Sequence, residues 1–273
     1  MEPDWDNNIK DFLIRQLSFS VDWEQPGVNA VGLQKLSHQL IENITISIIQ
    51  DFNPSILSDF KYFPIDNFII YLKENFNLET ITDQIIPIDK GKKLNGYCDI
   101  ENKKIFIDVS LRDTEQFAFV CAHEIAHFFL HTNVQMSQMI YDNLNDSAYD
   151  SATGKYLLTN EKHWLEWQAN QFAAALIMPY RCVLGKLEAW QMREGISKLG
   201  SVFLDNQPCN IRDFQVMITS LADEFKVSTT ILENRMRDLR LITYEGGKRG
   251  CHFSLIRKVK EPQSISQIMK RMF

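Results

Sequence analysis

Between Phe119 and Thr132 the chain reads FVCAHEIAHFFLHT, and His123, Glu124 and His127 interrupt an otherwise apolar run. Burying three ionisable groups costs free energy unless something compensates. His123 and His127 stand four positions apart. On a helix they share one face a turn apart, so two imidazoles can hold one ion. Glu124 occupies the adjacent position and can reach a water beside that ion without taking a ligand position. This is the mechanical content of HExxH: two zinc ligands and a general base. The competing reading is a pair of satisfied core histidines. A metal accounts for all three polar residues at once.

Catalytic zinc takes three protein ligands and keeps one position open. Glu166 opens the stretch EWQANQFAAALIMP, whose later residues are nearly all apolar, and shares a helical face with Ala169, Ala173 and Leu176. A carboxylate on such a packing face wants a cation, and the small alanines would let the two helices approach closely. An ordinary acid in the first helical turn, favoured by the helix dipole, is the alternative. Residue chemistry leaves the two readings balanced. His131, eight positions after His123, could orient a ligand or sit at the helix end near the C-terminal dipole. His163, Tyr156 and Tyr97 are candidates by type for stabilising an oxyanion. Cys98 lies in GYCDIENKKIFID, just ahead of the HExxH run. If it faces the site, its thiolate could take the fourth position and hold the site latent. The alternative is a small buried hydrophobe.

The elements that must position these residues follow from periodicity. Apolar spacing predicts helices in IKDFLIRQL and in LQKLSHQLIENITISIIQDF, although β-branched residues crowd the end of the latter. PIDNFIIYLKENFNLE predicts a helix with Pro64 near its start and Asp66 in its first turn. GYCDIENKKIFIDVS predicts a β-hairpin around the turn ENKK. Asp113, with Gln116 three residues on, predicts a capping box for a helix over about 114–131. A polar segment over about 142–155 predicts a loop. The next helix runs over about 160–178 and stops at Pro179. Helical periodicity resumes near 211 in FQVMITSLADEF. After a short turn, Ser228 caps TTILENRMRDL, and this pair has the look of a helix-turn-helix. LITYEGG and CHFSLIRKV predict terminal strands around a Gly-Gly turn.

Composition sets the frame. The 273 residues are 45% hydrophobic and 23% charged, as in ordinary globular chains. No apolar run reaches the roughly 18 residues of a membrane helix. The acidic N-terminus has no apolar segment behind it, which argues against a signal peptide. Five scattered cysteines without a CxxC pair fit a reducing cytoplasm. The net charge of −6 conceals an asymmetry, because residues 235–273 carry ten Lys or Arg against three Asp or Glu. Such a stretch is either a solvated basic face or a weak nucleic-acid contact.

Together, HEIAHFFLH and the downstream ExxAxxFAxxLIMP resemble the ImmA/IrrE family of zinc metallopeptidases, with a likeness running over about residues 64–242. The resemblance implies an α+β, zincin-like fold: a small sheet beside the HExxH helix, and mostly helical N- and C-terminal regions. It implies one Zn2+ per chain, with His123, His127 and Glu166 as ligands and Glu124 as the catalytic group. His127 and Glu166 stand unusually far apart for this pattern, with 142–155 as the insertion. The expected organisation is an N-terminal helical extension (1–60), a metallopeptidase core (61–195) and a C-terminal helix pair with short strands and a basic tail (196–273). Family members typically cleave a helix-turn-helix repressor encoded beside them, derepressing stress, mobile-element or phage-defence genes. The expected partner is therefore such a repressor, with no membrane. The alternatives are a DNA-binding regulator or a toxin–antitoxin-like partner with a non-catalytic zinc site.

Overall fold

Ser37 accepts a hydrogen bond from the Leu40 backbone N–H and so caps helix α1 (His38–Phe52). A computed structural model describes residues 33–87, 94–132, 134, 149–150, 155–156 and 158–244. The expected helix within 9–17 lies outside them. The isoleucines that weaken the helical propensity of α1 are the ones it buries: Ile44, Ile46, Ile48 and Ile49. Tertiary packing overrides the small intrinsic cost. A single turn, α2 (Ser55–Ser58), follows, and then α3 (Ile65–Phe76) begins after Pro64. Asn77 adopts a left-handed conformation (φ 53°) and ends α3, so Glu79 opens a strand instead of extending the helix.

That strand, β1 (Glu79–Gln84), pairs in parallel with β3 (Lys104–Asp108), which pairs antiparallel with β2 (Gly96–Asp99). The β2–β3 hairpin is the one the sequence predicts. Tyr97 lies opposite Phe106, and their rings stack at 4.6 Å on one face. The other face carries Gly96 and Cys98 opposite the buried Ile107 and Ile105. It packs against α4 (Phe117–Leu130).

Helix α4 starts later than expected, and the Asp113 capping box does not form: Gln116 is the cap residue and makes no side-chain bond. The reason lies upstream. Asp108 caps a 3-10 turn over Val109–Leu111, accepting from the backbone N–H groups of Ser110 and Ile86, each at 3.0 Å. Thr114 then donates its hydroxyl back to the Leu111 carbonyl. The chain spends residues 109–116 in turns before the helix begins. Arg112 fixes this approach through a 2.7 Å ion pair with Asp66 of α3 and through its stack on Phe117. Helix α4 is apolar almost all round and buries Cys121, Ala122, Ile125, Phe128 and Phe129.

Where a loop is expected, strands β4 (Tyr149–Asp150) and β5 (Lys155–Tyr156) form a short antiparallel ladder. Helix α5 (Glu161–Ile177) is capped by Asn160, which accepts from the His163 N–H, and it stops before Pro179 as expected. It packs against both α4 and α1. Proline does not end the helical path, because α6 (Tyr180–Arg193) starts immediately after it, where a missing N–H costs nothing.

The C-terminal pair is α7 (Pro208–Phe225) and α8 (Thr229–Asp238), the latter capped by Ser228 as expected. Strand β7 (Ile242–Tyr244) pairs in parallel with β6 (Val202–Leu204), a strand absent from the sequence reading. The second predicted terminal strand lies outside the described residues. Arg235 of α8 is 1% exposed; its Nε donates to the Met178 carbonyl and a guanidinium nitrogen lies 2.5 Å from Glu42 of α1. Helix α1, the end of α5 and the C-terminal pair thus meet at one buried ion pair. The chain is a mixed α+β protein, mostly helical with small sheets. Among the described residues no helix is long and apolar enough to cross a membrane.

Candidate metal centre

One turn of α4 separates His123 from His127, and their rings lie 5.0 Å apart, centroid to centroid. Glu166 reaches them from α5, which comes close because the residues between the helices are small: Ala169 and Ala173 are completely buried. His123 Nε2 lies 3.2 Å from His127 Nε2 and 3.3 Å from one Glu166 oxygen. The other Glu166 oxygen lies 3.9 Å from His127 Nε2. Ligand atoms held about 2.0–2.1 Å from a tetrahedral ion sit about 3.3 Å from one another. The donor set fits zinc in chemistry and in spacing. Among the described residues this is the one group of three whose ligand atoms all lie within 4.8 Å of one another.

Asn170, one turn after Glu166, orients His123. Its carbonyl oxygen lies 3.0 Å from His123 Nδ1, so the ring proton sits on Nδ1 and Nε2 faces Glu166. His127 Nδ1 lies 3.0 Å from Nδ1 of His131, which is buried. Burial pushes His127 down to about 4, with the positive charge of His123 adding to the effect and Glu166 opposing it. Burial, and after it the charge of His127, also hold His131 well below the ordinary imidazole value. Burial would depress His123 as well, but the Glu166 hydrogen bond and the charges of Glu124 and Glu166 leave it raised. One neutral and one readily charged imidazole thus share a carboxylate.

Glu124 is 8% exposed and lies against strand β2. A Cβ at Gly96 would sit 3.0 Å from the Phe106 carbonyl oxygen and 3.1 Å from Glu124 Cγ, so a larger residue there would press on the Glu124 side chain. Burial raises the Glu124 carboxyl from its ordinary 4.5 to about 7, against the pull of His123 and with the help of Glu166. The consequence for stability has a definite sign. A carboxyl whose folded pKa is raised contributes stability below about pH 4.5, and this is lost as pH rises through 7. In metal-free protein, Glu124→Gln is expected to be more stable than wild type by about 2–3 kcal/mol at pH 8 and nearly equal at pH 4.5. Urea unfolding across pH with a chelator present checks this, since the His127 contribution is common to both proteins. A pH-independent difference would disprove the assignment.

The remaining candidates are dispersed. His163 is buried in the α5 cap, accepting from the Thr159 N–H at Nδ1, with Asn160 Nδ2 at 3.1 Å from Nε2. Tyr97 lies on the sheet face opposite Gly96, stacked on Phe106 and so away from Glu124. Tyr156 belongs to β5, paired with Tyr149. Cys98 shares the inward face of Gly96 and is half-buried against the core; burial first, and then the Glu124 charge, push its thiol up. It stands outside the three-residue group. Cys98→Ser is therefore expected to keep a full complement of metal, and loss of metal on elemental analysis would make the sulfur a ligand after all. Gly96, Asn170 and Gln168 are the contributors the sequence reading passes over. Asn170 was accessible from its spacing, four positions after Glu166 on the same face.

Residues 79–237 match the family described as IrrE N-terminal-like domain. No curated protein matches the sequence significantly. Among solved structures, a Mycobacterium tuberculosis transcriptional regulator is similar over 86% of this chain, at 13% identity and a TM-score of 0.42. The chain covers 52% of that protein, about half its length.

Proposed function

Since the chain belongs to the ImmA/IrrE family, with residues 79–237 forming its IrrE N-terminal-like domain, we propose that it is a zinc-dependent endopeptidase of zincin-like architecture. The reading rests on one observation: His123, His127 and Glu166 converge from two helices with Glu124 buried beside them. The three converging residues would hold the metal. When bound, zinc supplies a Lewis acid that polarises the scissile carbonyl and acidifies water. Asn170 keeps the His123 ring oriented. Glu124 takes the proton of the attacking water and returns it to the leaving nitrogen. Strand β2 is an edge of its sheet, and Gly96 sets that edge against Glu124. An extended peptide laid along the edge would bring its backbone past the base.

Family membership supports a cytoplasmic role in which the substrate is a helix-turn-helix repressor, encoded nearby, whose cleavage derepresses stress, mobile-element or phage-defence genes. The C-terminal helix pair acts in packing and not as a DNA reader. Arg235 is buried on Glu42, and Arg237 pairs with Glu233 at 2.5 Å. Any nucleic-acid contact falls to the basic stretch toward the C-terminus, which would bind weakly and lose affinity steeply with salt. The direct test incubates the protein with the neighbouring repressor, with and without a chelator, and maps products by mass spectrometry. A chelator-sensitive cut within the repressor is expected; an intact repressor across all such neighbours would sink the reading.

A further inference from the structure

The hydrogen-bond chain behind His127 does not stop at His131. Nε2 of His131 faces the side-chain amide nitrogen of Gln168 at 3.5 Å, and the amide oxygen of Gln168 accepts from the backbone N–H of Leu36 at 2.7 Å. His131, Gln168 and Leu36 are all buried, with Gln168 fully so. Leu36 lies outside the residues matched to the family, in the turn that leads into α1.

We propose that Gln168, held in orientation by the Leu36 N–H, sets which nitrogen of His131 carries the proton and thereby lowers the metal affinity of His127. A backbone N–H can only donate, so the Gln168 oxygen must face Leu36 and its NH2 must face His131. An NH2 also only donates, so it favours a bare Nε2 on His131 and a proton on Nδ1. That proton then points at Nδ1 of His127, 3.0 Å away, and favours a bare Nδ1 there. A metal ligand needs the reverse. With Nε2 of His127 directed at the ion, the ring proton sits on Nδ1 and needs an acceptor. His131 can accept only by moving its own proton to Nε2, against the Gln168 NH2. Gln168 is a positioning residue that opposes the metal-competent arrangement, and the segment before α1 enforces it.

This inference rests on the metal reading, and one set of measurements separates the two. Zn2+ dissociation constants are measured by competition with a chromophoric chelator, alongside thermal melts of the metal-free proteins. Stoichiometric uptake by wild type is expected, and absence of uptake would overturn both readings. Gln168→Met removes the opposing donor without adding charge. It should bind Zn2+ about tenfold more tightly although its metal-free melting temperature falls, because Leu36 loses its acceptor. Equal or weaker binding by Gln168→Met would overturn the inference and leave the metal reading intact. Gln168→Glu keeps an acceptor for Leu36 and offers a second to His131, so it should also bind more tightly. Its gain should vanish in a His131→Ala background. A gain that persists there would show that the added charge acts directly on the ion, and would overturn the inference even if the methionine variant did not fold.

Discussion

Glu124→Gln is expected to abolish cleavage of the proposed repressor substrate, lowering kcat/KM by about a thousandfold, while the protein keeps its metal content and its fold. The amide nearly matches the carboxylate in shape but cannot accept the proton of the attacking water. Space is not at issue, because Gly96 leaves the same room for either side chain. The metal should stay because Glu124 is not among the three converging ligands. Gel assays with the neighbouring repressor, elemental analysis and thermal melts read the three parts separately. Undiminished cleavage would remove Glu124 from the mechanism, and loss of metal would make it structural.

Glu166→Ala and His127→Ala are each expected to lose the metal, with affinity falling by about a hundredfold or more. Each removes one of the three residues that would hold the ion. The glutamate variant also takes away the only carboxylate in the group and leaves two half-buried imidazoles facing each other at 3.2 Å. Acidification should also release metal from the wild-type protein, because Glu166 raises the His123 pKa and a proton then competes with the ion there as pH falls. Metal content after dialysis at several pH values checks both statements. Full zinc in Glu166→Ala would show that the third ligand lies elsewhere.

Much of this site was legible because helices translate spacing into geometry. HExxH fixes a face of α4 wherever that helix lies, and the alanines after Glu166 announce a close helix contact. The hairpin was legible for the same reason, its alternation bounded by polar turn residues. What escaped depends on partners remote in sequence. Gly96 matters only because β2 meets α4, and Gln168 only because Leu36 comes to it. Asp108, and not Asp113, caps the approach to α4, since Ile86 supplies the second donor from a distant segment. Strand β6 is three residues long and pairs with a strand some forty positions later, leaving almost no local signal.

The buried pair of Arg235 and Glu42 bears on how much of the chain the fold requires. The residues that define the family begin after Glu42 and include Arg235. A protein trimmed to that span would carry a guanidinium at its centre with its countercharge cut away. Stranding one half of such a pair costs about 3–5 kcal/mol, a large part of the net stability of a domain. Helix α1 is therefore an obligate piece of the folding unit: its countercharge lies nearly two hundred residues further along the chain, so the structure can lock only when the C-terminal helices have been made.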